Sequence, residues 1–174
     1  VWVADGEVVI PNDLLESSDV LVVQKDTLQY TRLLATAKFL VNNSTFPTYF
    51  TRREGQRYLM TWHGTPFKTL AKDMPEPLVH LNMARNYLQA THAIFPNDHT
   101  RRTLIEGMDL DGLISASVML TGYPRNDNLA NLASDKPAKD GTKTVLYAPT
   151  WREDSELDSQ VTALIKVRKL IEEA

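Results

Sequence analysis

Four short loops hold most of the side chains in this sequence that could move a proton or grip an anion. They are Asn42-Asn43-Ser44, Trp62-His63-Gly64-Thr65-Pro66, Gly122-Tyr123-Pro124-Arg125-Asn126-Asp127 and Ala148-Pro149-Thr150-Trp151-Arg152. His63 is the most informative of them. An imidazole, which titrates near neutrality, can take a proton from a hydroxyl. Gly64 allows the backbone to turn there or to approach a ligand closely, and Pro66 suits a tight turn or the first turn of a helix. The same residues also fit a structural histidine whose ring bonds a backbone carbonyl beside a packed Trp62. Lys68, five residues on, has the charge to neutralise a phosphate. Arg125 has a planar fork that can grip a phosphate at two points, or it can face solvent while Asn126 or Asp127 caps the next helix. Thr150 and Arg152 offer a hydroxyl and a cation for a second phosphate contact, whereas Trp151 can simply pack. His80, His92 and His99 have no metal-ligand spacing, so no metal site and no cofactor is expected. There is no GxGxxG, P-loop or serine nucleophile elbow.

These loops follow short apolar runs that read as strands. Val20–Val23 reads as a buried strand, 27–37 as a helix capped by Asp26, and Phe39–Val41 as a second strand, which together make a βαβ unit. The alternation continues with strands at Tyr58–Trp62, His92–Phe95, Ser117–Thr121 and Val145–Ala148. Between and after them, helices are expected at Leu78–Ala90, Asp98–Met108 (capped by Asn97), Asn126–Ala133 and Leu157–Ile171. The polar segment Ser134–Thr142, with Pro137 and Gly141, reads as a linker. The class is α/β with an open parallel sheet. In such sheets ligands gather at the carboxyl ends of the strands, which is where all four loops fall.

Charge is distributed unevenly along the 174 residues. Residues 1–31 carry six acids and one base, whereas 32–72 carry seven bases and one acid, although the net charge is −3. The basic stretch is a solvated face, or else a site for phosphates or an anionic membrane. Its most exposed part is expected at Arg52, Arg53 and Arg57. A net negative chain without a recognition motif argues against nucleic acid. The absence of cysteine excludes disulfide scaffolds, thiolate zinc sites and a cysteine nucleophile. No run is long and apolar enough for a membrane span, and no basic-then-apolar leader is present. The expected setting is therefore cytoplasmic. The chain starts in an apolar run without Met and stops inside a helical pattern, as an excerpt of a longer protein would.

The segments FLVNNSTFPTY (39–49), REGQRYLMTWHGTPFK (53–68), GYPRNDNL (122–129) and LYAPTWR (146–152) resemble, in this order, the CDP-glycerol glycerophosphotransferase family of teichoic-acid primases and polymerases. The resemblance covers about Leu34 to Arg152. It implies a GT-B-like fold of two Rossmann-like halves: an acceptor-side domain over 1–133, a linker over 134–142, and the start of a donor-side domain over 143–174. In the family a second histidine and an Asp-Ser-Ser-like donor segment come later, so this stretch is expected to be inactive alone. The resemblance further implies that His63 acts as general base on an acceptor hydroxyl, supported by Trp62, Gly64, Thr65, Asn126 and Asp127. Lys68, Arg125, Thr150 and Arg152 would face phosphates. The implied reaction passes glycerol phosphate from CDP-glycerol to a lipid-linked polyol-phosphate acceptor, with release of CMP. The implied location is peripheral, at the inner face of the cell membrane, with Arg52, Arg53 and Arg57 toward the acceptor or the anionic surface. CDP-ribitol or a nucleotide sugar as donor, or a non-catalytic docking domain, are the alternatives.

Overall fold

Short apolar runs become strands where neighbouring strands can take their backbone hydrogen bonds, and the computed structural model shows which runs pair. It describes residues 1–67, 69–75, 77–132, 165, 166 and 168, the side chains of Pro77 and Leu132 excepted. In chain order the elements are β1 (Trp2–Ala4), α1 (Asn12–Glu16), β2 (Val22–Gln24), α2 (Leu28–Thr36), β3 (Phe39–Asn42), β4 (Arg57–Met60), α3 (Pro77–Gln89), β5 (His92–Phe95), α4 (Asp98–Gly107), β6 (Ser117–Leu120) and α5 (Asp127–Leu132). Two 3₁₀ turns, Ala71–Asp73 and Pro124–Asn126, precede α3 and α5. The chain divides into two compact units, Val1–Asn131 and Leu132–Ala174. In the second, Ile165, Lys166 and Arg168 are helical. The expected linker, the 145–148 strand, Thr150, Trp151 and Arg152 lie outside the described residues, as does Lys68.

Strands β3, β4, β5 and β6 form a parallel sheet in that order. Leu40, Tyr58, Met60, Ala93 and Phe95 alternate onto one face and are buried there. Met83 and Tyr87 of α3, Ala90 just after it, and Leu104 and Ile105 of α4 belong to the same core. The opposite face leaves Phe39 69% and Val41 68% exposed. Consecutive strand order with right-handed crossovers places α3 and α4 on one side of the sheet.

The expected βαβ unit over residues 20–41 is corrected: β2 pairs with β1, not with β3. The Val1-Trp2-Val3 run supplies a strand that takes the β2 hydrogen bonds, and β3 pairs with β4 instead. The helix cap also moves by one residue. Thr27 accepts the Tyr30 N–H, while Asp26 adopts a left-handed backbone, φ +62°, to make the turn. Asn97 caps α4 as expected, accepting from the Thr100 N–H at 2.8 Å. Before α5 the chain first makes the 3₁₀ turn, so the helix starts at Asp127 rather than Asn126.

Parallel strands need a crossover, and β3 reaches β4 without a helix. Residues 43–56 make it as irregular chain, whose backbone polar groups must find partners elsewhere. Buried amide side chains supply several. Gln56 Nε2 donates to the carbonyls of Leu34 and Ala37, and its Oε1 accepts the Arg53 N–H. Asn86 Oδ1 accepts the Phe46 N–H at 2.9 Å, and its Nδ2 donates to the Phe46 carbonyl at 3.2 Å. Gln89 Oε1 accepts the Arg52 N–H. Phe46, Phe50 and Tyr58 fill the space beneath, with ring centroids 4.7–6.0 Å apart.

Candidate active site

His63 follows β4 in a loop that four other segments hold. Its Nδ1 lies 2.7 Å from the Asn43 carbonyl, just past the end of β3. A carbonyl only accepts, so Nδ1 carries the proton in the neutral ring and Nε2 keeps its lone pair. The imidazole stacks on Trp62, with centroids 4.2 Å apart and planes 27° apart. Trp62 is buried against Tyr87 of α3, which stacks in turn on Phe95 of β5. Thr65 meets the buried Thr100 of α4, hydroxyl to hydroxyl, at 3.2 Å. From beyond β6, Arg125 Nη1 donates to the His63 carbonyl at 2.8 Å. The remainder of the Arg125 guanidinium lies over the Tyr123 ring, 4.8 Å from its centroid.

The ring of His63 is exposed, and among the described residues Nε2 has no hydrogen-bond partner. The two readings of this histidine therefore fall on different nitrogens. Nδ1 is anchored on a backbone carbonyl, as in a structural histidine, and that anchor leaves Nε2 able to accept a proton from solvent-side chemistry.

Two details differ from expectation. Gly64 does not take the turn, since its backbone is outside the left-handed region and a side chain there would meet nothing within 4 Å. Trp62 takes it, at φ +54°. For a bulky residue that conformation costs about 1–3 kcal/mol, and such strain gathers at functional sites. The expected strand over 58–62 accordingly stops at Met60. At the Arg125 loop a glycine does act: Gly122, at φ +77°, turns the chain out of β6.

Burial sets the chemistry behind the loop. Desolvation pushes the Tyr87 and Tyr58 phenols well above their ordinary value and raises Tyr123 as well. The Tyr87 and Tyr123 hydroxyls are buried without a hydrogen-bond partner among the described residues. These phenols therefore stay neutral.

Asn126 and Asp127 are exposed and form the start of α5. Two arginines of the basic stretch bond the ends of helices. Arg53 Nε and Nη2 donate to the carbonyls of Ala35 and Thr36, capping the C-terminal end of α2. Arg52 Nε donates to the Gln89 carbonyl at 2.7 Å, capping α3. A cation at a helix C-terminus meets both the unpaired carbonyls and the negative end of the dipole. These two neighbours hold the fold, while Arg57 opens β4 on the exposed face of the sheet. Asn43 stands in one of the four loops that the sequence singles out, but its role there, and Asn86 altogether, escape a motif search. The first acts through a backbone carbonyl. The second betrays itself only as a polar residue on the apolar face of α3, in phase with Met83 and Ala90.

A sequence model of the family described as CDP-glycerol:poly(glycerophosphate) glycerophosphotransferase matches residues 1–174. The teichoic acid poly(glycerol phosphate) polymerase of Bacillus spizizenii is 31% identical over 162 residues, spanning 82% of this chain and 40% of that protein. The polymerase of the same name from Staphylococcus epidermidis is 31% identical over 150 residues, 76% of this chain and 20% of that one. Among solved structures, the wall teichoic acid polymerase TagF matches with TM-score 0.60 and 29% identity over 78% of this chain and 36% of that one. A histidine-to-asparagine variant of TagF soaked with CDPG matches with TM-score 0.61 and 27% identity, over 76% and 34%. The chain spans a fifth to two fifths of the length of these relatives. The α/β class with parallel sheets, and its likeness to a GT-B-like glycerophosphotransferase, agree with the sequence reading.

Proposed function

We propose, from the premise that the chain belongs to the CDP-glycerol:poly(glycerophosphate) glycerophosphotransferase family, that it forms the acceptor side of an enzyme transferring glycerol phosphate from CDP-glycerol. The acceptor is the terminal hydroxyl of a lipid-linked polyol phosphate. The observation that carries the reading is the His63 geometry, in which Nδ1 is fixed on Asn43 and Nε2 has no partner among the described residues. In the transfer the acceptor oxygen bonds to the β-phosphorus of CDP-glycerol as its proton passes to Nε2. The bond from that phosphorus to the bridging oxygen breaks, and CMP leaves with the electron pair. Arg125, already docked on the His63 backbone, has guanidinium N–H groups left for phosphoryl charge. Lys68, Thr150 and Arg152 are proposed for the remaining phosphate contacts. Domain limits of 1–133 and 143–174 around a 134–142 linker belong to the same proposal.

His63→Ala in the complete gene product should lower incorporation of radiolabelled glycerol phosphate about 10²–10⁴-fold, the usual worth of a general base, with the circular dichroism spectrum unchanged. Near-normal incorporation by a folded variant would overturn the reading. CDP-ribitol offered in parallel distinguishes the donor.

The acceptor is lipid-linked, so the site works at the inner face of the membrane. Among the described residues no helix is long and apolar enough to cross a bilayer. The structure supports an apolar contact more than a basic one, because Arg52 and Arg53 are engaged by carbonyls. Phe67 is 94%, Leu78 77% and Leu81 58% exposed, and all three follow the His63 loop. Burying half of that apolar surface contributes about 3 kcal/mol, as much as three surface bases at about 1 kcal/mol each. Co-sedimentation with vesicles of anionic lipid should fall for Phe67→Ser/Leu78→Ser/Leu81→Ser and change little between low and high salt. Retention by that variant, with loss for Arg57→Ala or in high salt, would return the contact to the bases.

A further inference from the structure

A fully buried amide that spends both ends on the backbone of an irregular segment fixes where that segment lies. Asn86 of α3 does this to Phe46. Its Oδ1 accepts the Phe46 N–H and the Tyr58 hydroxyl (3.1 Å), and its Nδ2 donates to the Phe46 carbonyl and to the Asn82 carbonyl (2.8 Å). Asn82 Nδ2 adds a second donor to the Phe46 carbonyl at 3.2 Å. Every hydrogen-bonding capacity of the Asn86 side chain is thus used inside the protein.

Phe46 lies three residues from Asn43, whose carbonyl holds His63 Nδ1. At the other end of this short segment the Thr61 N–H donates to the Asn42 carbonyl, and Asn42 Oδ1 accepts the Ser44 N–H. The Asn43 carbonyl is therefore suspended between the end of the β3–β4 ladder and the Asn86 clamp. We infer that Asn86 is a positioning residue for His63, acting through the 43–46 segment to keep the ring in the tautomer with Nε2 unprotonated. The inference rests on the proposed role of His63, but its structural part can be read without activity.

Two measurements test it. In long-range proton–nitrogen spectra of the chain, at a pH where the imidazole is neutral, wild-type His63 should be mainly Nδ1–H. In Asn86→Ala it should move toward the Nε2–H form. In the complete gene product, Asn86→Ala should lower kcat about tenfold to a hundredfold, the scale of an ångström-sized misplacement, and should cost nothing further when combined with His63→Ala. An unchanged tautomer in a folded variant, or the same fold-loss with and without His63→Ala, would make Asn86 a purely structural residue. If Asn86→Ala does not fold, Asn82→Ala, which removes one donor from the Phe46 carbonyl, is judged by the same two criteria with a smaller shift expected. Should His63→Ala prove active, the proposed function falls, while the tautomer still decides whether Asn86 orients the ring.

Discussion

The sheet is crossed in two ways, and the contrast separates what packing does from what single side chains do. From β4 to β5 and from β5 to β6 the chain crosses by helices, α3 and α4. These satisfy their own backbone and need only an apolar stripe, built from Met83, Tyr87, Ala90, Leu104 and Ile105, to sit on the sheet. From β3 to β4 it crosses as irregular chain over residues 43–56, held by Gln56, Asn86, Gln89 and two capping arginines. Packing is spread over many contacts and tolerates exchange of similar shapes. A clamp of individual amides does not, since losing one leaves buried polar groups without partners. The irregular crossover is the one that carries the His63 anchor.

Substitutions in the two regions should therefore differ in kind as well as size. Gln56→Leu keeps volume but orphans the Arg53 N–H and two carbonyls. At about 1–3 kcal/mol for each unsatisfied buried group, a loss near 4 kcal/mol is expected in urea unfolding, together with reduced transfer per folded molecule. Leu104→Ala, in the fully buried core of α4, should cost about 3 kcal/mol through its cavity and leave transfer per folded molecule unchanged. If both variants affect transfer equally, or if Gln56→Leu is neutral, the distinction between the two crossovers fails. Arg53→Ala is the mildest probe, with about 1 kcal/mol expected for a charged helix C-cap. That loss should persist in high salt more than a surface ion pair would, because the partners are carbonyls. Complete loss of the effect in salt would instead point to long-range charge.

Legibility in the sequence follows the same division. Helical periodicity and short apolar runs placed β5, α3, α4 and the α4 cap to within a residue or so, because those elements obey local rules. The β2–β3 pairing was misread because a strand's partner is a non-local choice, and the Val1–Val3 run competed for the same edge. The His63 and Arg125 loops were recognisable from residue types, and the structure joins them by one hydrogen bond. The Asn43 carbonyl was not recognisable, since backbone atoms leave no signature in side-chain spacing. The Arg52–Arg53 pair read as surface charge, because nothing local announces that two helix ends converge on one turn.

The left-handed backbone of Trp62 has a consequence for how this loop tolerates drift. Tryptophan has a single codon, and one base change converts it to glycine, the residue that the φ of +54° favours. That replacement relieves the backbone and deletes the indole on which His63 stacks. Trp62 is also buried in the core against Tyr87, so the change gives up about 3–5 kcal/mol of packing for about 1–3 kcal/mol of relieved strain, and a library selected only for folding should keep a large side chain at 62, as should one selected for transfer. One indole thus fills the core and carries the His63 ring, which ties the loop's function to its stability.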